Sequence, residues 1–172
     1  MSYIPKYILK RMIPANAFFT VDKNGDGKAE SIGFYIVNVI SPISIPADIP
    51  KDPKELAKLA GVSDLNSLIT VTLDGIDLKF DFKKLELLYE GKSVKMGNLA
   101  DAAGVTLPVG GIVVVLYDYP EKDYPPGTKM IGEHELVVKY NVAGQSGDIS
   151  AKREVTKERT LLKYPPDISK FK

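Results

Sequence analysis

The chain has 172 residues, 44% hydrophobic and 26% charged, which suffices for one domain with a sizeable core. Its 23 Lys and Arg balance 22 Asp and Glu, so no field of one sign draws it onto nucleic acid or an anionic membrane. The absence of cysteine excludes disulfides, thiolate metal sites and cysteine nucleophiles. Tryptophan is absent too, and Gln145 is the only glutamine; such thinning of thermolabile side chains is the composition of a hot-adapted protein.

The first segment, MSYIPKYILKRMIP, is interrupted by Pro5, Lys6, Lys10 and Arg11. It therefore has no apolar run long enough for a secretory leader, and cytoplasmic residence is the literal expectation. Residues 1–14 read in two ways. They are either the first strand of the domain or an arm that adds to the sheet edge of a neighbouring subunit, with Tyr7, Leu9 and Ile13 as its apolar anchors. Residues 15–163 are expected to form a single domain and residues 164–172 a tail. Apolar stretches stop well short of the ~20 residues that span a bilayer, so no membrane insertion is expected.

AFFTV and SIGFYIV read as strands on either side of the loop VDKNGDGKAESIG, residues 21–33. Asp22, Asn24 and Asp26 stand two apart around a glycine pair, with Glu30 following. A hard cation such as Ca²⁺ takes six to eight oxygens, and this spacing supplies three side-chain oxygens while Gly27 permits the bend. Lys28 can add its carbonyl and Glu30 a carboxylate. The stretch resembles the calcium loops of EF-hand and dockerin proteins and the Asp-rich calcium loops of extracellular repeats. It departs from an EF-hand at the twelfth position, where Gly33 replaces the bidentate glutamate, and in its strand flanks. Any ion therefore sits at the tip of a β-hairpin, helped by carboxylates such as Asp123 or Asp148 if at all. The competing reading is a metal-free turn in which Asx side chains bond their own backbone.

Residues 32–40, IGFYIVNVI, are apolar on both faces, as are residues 112–117, IVVVLY. Each strand then needs cover on its second face, from the domain's own helix and loops or from another subunit. DPKELAKLAG reads as a short helix, with Asp52 as N-cap, Pro53 at N1, Glu55 as capping-box partner and Gly61 as terminator. NLADAAG is a second candidate helix, from Asn98 to Gly104.

LITVTLDGIDLKFDF, residues 68–82, reads as a hairpin closed by Asp74-Gly75. The expected pairs are Leu73 with Ile76, Thr72 with Asp77, Val71 with Leu78, Thr70 with Lys79 and Ile69 with Phe80. LELLY, SVKM, residues 112–119 and residues 135–142 are further strands. Tyr117, Tyr119 and Tyr124 lie beside prolines and could form an aromatic platform for a carbohydrate-like ligand; the plainer reading is a strand end with a rigid loop. His134 is flanked by Glu133 and Glu135 without a second histidine at helical spacing, so it reads as structural. KREVTKERT reads as a solvated edge strand or a tail.

Short β-branched and aromatic runs between Gly, Pro and Asp clusters point to an all-β fold, an antiparallel β-sandwich of immunoglobulin-like or jelly-roll-like form with one or two short helices in connections. GEHELVVKYNV resembles the last strand of immunoglobulin-like and fibronectin-like domains, and TLPVGGIVVVLYDY is similar to the strand before it. That resemblance implies a role in adhesion, surface layers or assembly. No phosphate-binding loop or nucleophile elbow is present. The expectation is a non-enzymatic structural subunit, a homo-oligomer or part of a filament or particle, stabilised by calcium. Extracellular or particle-associated life is the alternative to the cytoplasm, because an incomplete calcium loop needs abundant calcium.

Overall fold

The computed structural model describes residues 5–59, 61–142 and 145–171. In chain order its strands are β1 (Phe18–Asp22), β2 (Ser31–Val37), β3 (Ile43–Ser44), β4 (Ile69–Leu73), β5 (Ile76–Asp77) and β6 (Leu85–Tyr89). They are followed by β7 (Lys92–Lys95), β8 (Thr106–Leu107), β9 (Ile112–Asp118), β10 (Gly132–Val142), β11 (Gln145–Val155) and β12 (Leu162–Lys163). Two α-helices, α1 (Lys6–Met12) and α2 (Pro53–Leu59), complete the set with several short 3-10 turns. A six-stranded sheet, β12-β1-β2-β9-β6-β7, faces a four-stranded sheet, β11-β10-β4-β5, and β3 and β8 pair separately. All pairings are antiparallel except β1 with β12. The molecule is an all-β, sandwich-like fold, as its strand pattern predicts. Among the described residues no helix is long and apolar enough to cross a membrane.

β2 and β9 are the two central strands, paired from Ser31↔Asp118 to Val37↔Ile112. Side chains alternate across a sheet, so Ile32, Phe34, Ile36, Val115 and Tyr117 turn towards the four-stranded sheet. Gly33, Tyr35, Val114 and Leu116 turn the other way. The chain itself covers that outer face: α1 lies against β2, the Tyr35 hydroxyl donates to Asn16, and Leu9, Met12, Ile13 and Ile168 pack into the core. Leu116 is 0% and Phe19 1% exposed. A Cβ built on Gly33 would stand 2.5 Å from Phe19 Cε2 and 2.8 Å from Leu116 Cδ2. Only a hydrogen at that position lets the two side chains close over β2.

The inner face is filled less well. Val71, Leu136 and Val155 are buried there, whereas Ile32, Phe34, Ile36, Val115, Leu85 and Leu87 are only half-buried. Between the sheets lies a cavity of about 260 Å³. The cavity is partly open to solvent rather than sealed.

Three expectations are corrected. KYILKRMI is α1, not a strand, so Tyr7, Leu9 and Ile13 form neither a first strand nor an edge-pairing arm. Helical spacing puts Leu9, Met12 and Ile13 on one face against the core, while Tyr7 is 70% exposed. Lys10 and Arg11 fall in the last turn, where cations suit the helix dipole. The 68–82 hairpin keeps Thr72↔Asp77 and Leu73↔Ile76, and Leu78 N bonds Val71 O at 3.0 Å, but pairing ends there. The Asp77 carboxylate accepts from Lys79 N at 2.8 Å, a local turn that competes with the ladder. Lys79 takes φ +51°, which turns the chain out of the ladder, and Ile69 and Thr70 keep only their partners Tyr140 and Lys139 of β10 on the opposite edge of β4. Residues 96–102 form a kinked 3-10 stretch in which Asn98 is non-helical (φ −137°), in place of a helix starting at Asn98.

Other expectations hold. α2 spans Pro53–Leu59, Asp52 accepts from Lys54 N at 2.9 Å, and Gly61 has φ +75°. The KREV stretch ends β11, an edge strand, as its charges suggest. The 164–172 segment is more than a tail, because Tyr164 reaches into the six-stranded sheet's outer layer.

The packing over Gly33 yields a paired test. Gly33→Ala should lower stability by about 1–3 kcal/mol through overpacking, whereas Gly97→Ala, which meets nothing within 4 Å, should leave it within about 0.5 kcal/mol. Urea unfolding monitored by tyrosine fluorescence measures both.

Candidate metal centre

The β1–β2 hairpin tip is shaped by its own acids. Asp22 accepts from Gly25 N and Gly27 N, both at 2.8 Å, one on each carboxylate oxygen. Asn24 Oδ1 accepts from Asp26 N at 3.0 Å, and Asp26 Oδ1 from Lys28 N at 2.9 Å. Glu30 Oε1 accepts from Lys23 N at 2.7 Å and Asn24 N at 3.2 Å. This ring of amide bonds brings one carboxylate oxygen each from Asp22, Asp26 and Glu30 within 4.8 Å of one another. Such a group could hold a metal ion. Desolvation pushes the Asp22 carboxyl upward, but amide bonds from Gly27, Gly25 and Asp26 and the Glu30 hydrogen bond outweigh it and hold the group below its ordinary range. Asp22 therefore stays an anion within the group.

Asn24 spends its side-chain oxygen on the turn and Lys28 contributes its amide to it, so these two shape the loop. Gly33 lies inside β2, which confirms that the loop is not an EF-hand. Of the outside carboxylates, neither Asp123 nor Asp148 meets the loop through a hydrogen bond. Glu121 does, accepting from Ala29 N at 2.8 Å, while Tyr119 N and Glu121 N bond Glu30 O and Ala29 O, each at 3.0 Å. The tip is thus clamped to the 119–121 connection, which no residue spacing announces.

The tyrosines separate. Tyr119 and Tyr124 approach with ring centroids 4.9 Å apart, beside an open pocket of about 460 Å³ lined by Glu121, Pro125, Pro126, Gly127 and Thr128. The Tyr124 hydroxyl is buried with no hydrogen-bond partner among the described residues; burial first, then Glu121 and Tyr119, push its proton affinity far up. Tyr117 instead turns inward and stacks on Phe80 at 5.4 Å, so it is no part of a surface platform. His134 is structural, as expected: Nδ1 lies 2.6 Å from Asp74 Oδ2 and Nε2 2.7 Å from Met130 O.

One polar cluster escaped the sequence reading. Glu86, the second residue of the apolar strand LELLY, is 2% exposed. Its Oε2 accepts from Ser93 Oγ and from the Tyr164 hydroxyl, the latter at 2.6 Å. Lys23 Nζ stands 3.3 Å from Oε1 and 3.1 Å from Asp118 Oδ1; the first contact is an ion pair without hydrogen-bond alignment. The lone acid inside an apolar run was the available signal. Lys23 belongs to the acidic loop's own sequence, yet its charge is committed to Glu86 and Asp118, which withholds it from Asp22, Asp26 and Glu30.

No protein-family model matches the chain, and no curated protein matches it in sequence. What fold and site define is a β-sandwich-like domain with an acidic hairpin tip.

Burial pushes the Glu86 carboxyl up, but hydrogen bonds from Ser93 and Tyr164 and the Lys23 charge overcome this and hold it below its ordinary 4.5. A depressed folded pKa stabilises the fold above the ordinary value and is lost as pH falls through the folded one. The melting temperature should therefore drop below about pH 4.5, and Glu86→Gln should start lower at pH 7 and fall less steeply; a scan from pH 7 to 3 on both proteins checks the slope.

Proposed function

We propose that the protein is a non-enzymatic structural subunit that self-assembles through one end of its sandwich, with calcium stiffening the Asp22–Glu30 tip. The observation that carries the assembly is an exposed aliphatic cluster: Ile40 is 66%, Ile43 54% and Val109 55% exposed. Asn38 gathers them, since its side-chain amide donates to Ser41 O at 2.8 Å and Leu107 O at 3.1 Å, and Gly110 N bonds Asn38 O at 2.7 Å. Water-exposed aliphatic side chains on segments tied together in this way favour a partner surface. A formal net charge of +1 raises no barrier between copies.

Calcium is the ion that suits carboxylate oxygens on a flexible loop. Lacking the bidentate glutamate, the loop fits calcium-rich surroundings, where sites of about 10⁻⁴–10⁻³ M suffice. A second reading, a ligand-binding module for a carbohydrate-like molecule, is favoured by the Tyr119–Tyr124 pair and the unpartnered Tyr124 hydroxyl beside an open pocket.

Light scattering should show an assembly larger than the monomer that Ile40→Glu combined with Val109→Glu disperses without lowering the melting temperature. A monomeric wild type at all concentrations would sink the structural reading. Calorimetric titration should show Ca²⁺ uptake that Asp22→Ala and Asp26→Ala each weaken at least tenfold, with a calcium-dependent rise in melting temperature; an unchanged melt at millimolar calcium would leave only a turn.

A further inference from the structure

We infer that the cavity between the two main sheets is a binding site for an uncharged, hydrocarbon-like small molecule. It is independent of both the hairpin tip and the assembly surface. Phe34, Val115 and Leu87 of the six-stranded sheet face Val71, Leu136 and Val138 of the four-stranded sheet across it. Phe34, Val115, Leu87 and Val138 point inward yet stay half-buried, because the cavity is partly open and no described residue fills it. An engineered apolar cavity of 150 Å³ stays dry and takes up benzene. By that scale about 260 Å³ has room for on the order of ten carbon atoms.

The chemistry of the wall selects the class. No Asp, Glu, Lys or Arg lines the cavity, so a charged ligand would lie unpaired in an apolar medium. Both nitrogens of His134 are already engaged, with Asp74 and the Met130 carbonyl. The Tyr117 hydroxyl accepts from Asp81 N at 3.0 Å, and no acceptor for its own proton is present among the described residues. The wall is therefore almost wholly apolar, which suits a ligand with at most one oxygen. A peptide is disfavoured, because β2 and β9 are paired along both edges and would leave an inserted backbone without hydrogen bonds. A medium-chain alcohol or ketone meets all of these conditions.

The test is methyl-resolved NMR of the full chain titrated with 1-octanol, with melting curves alongside. Saturable shifts confined to the Val115, Leu136 and Val138 methyls, and a melting temperature that rises with octanol by mass action, are expected. Val115→Phe and the milder Val138→Leu fill the space, so they should melt higher than wild type, and Val115→Phe should weaken octanol binding at least tenfold. If Val115→Phe does not fold, Val138→Leu carries the comparison. Shifts that never saturate, shifts centred on the exposed Ile40 and Ile131, or a lower melting temperature in Val138→Leu would each overturn the site.

Discussion

Two neighbouring strands that are apolar on both faces set the terms for the whole molecule. β2 and β9 run side by side over seven residue pairs, and neither can present a face to water. The outer face is closed by pieces from both ends of the described chain, α1 and residues 13–17 on one side and the segment after β12 on the other. The inner face is closed by the four-stranded sheet. The sandwich is thus an asymmetric answer to a symmetric demand: the outer side packs to atomic contact over Gly33, while the inner side leaves a cavity.

The outer layer also organises the electrostatics. A carboxylate 2% exposed is costly unless its oxygens are bonded and its charge met, and Ser93, Tyr164 and Lys23 perform those tasks for Glu86. The lysine comes from the acidic loop. The ion pair with Glu86 and Asp118 therefore holds that lysine's charge on the sheet rather than on the acids of the tip.

What was legible in the sequence is what local chemistry dictates. Asp52-Pro53 and Gly61 mark α2 because cap and terminator act within one turn. Asp74-Gly75 fixes the first pairs of the β4–β5 hairpin because two positive-φ residues allow little else. Asp22, Asp26 and Glu30 converge because their spacing and the glycines suffice. Misreadings arise where tertiary contacts decide. KYILKRMI satisfies a strand's alternation loosely and a helix's spacing equally well, and only the core beneath Leu9, Met12 and Ile13 selects the helix. The far half of the 68–82 hairpin is lost where the turn at residues 77–79 bends the chain away, and β10 supports β4 along its opposite edge. Tyr117 leaves the aromatic group because Phe80 offers it a stacking surface inside. Long-range partners such as Glu121 with Ala29 carry no spacing at all.

The period of a strand keeps the molecule's two candidate sites apart. In β2 the odd residues Ser31, Gly33 and Tyr35 are buried on the outer side, and the even residues Ile32, Phe34 and Ile36 line the inner cavity. Asp22 and Glu30 at the tip have as neighbours Val21 and Ser31, both 0% exposed in the tightly packed layer. That layer has little space in which to move. Changes in the volume between the sheets fall on side chains of the opposite parity, which already have room. Alternation thus lets one strand serve a rigid, charged end and a yielding, apolar middle without coupling them.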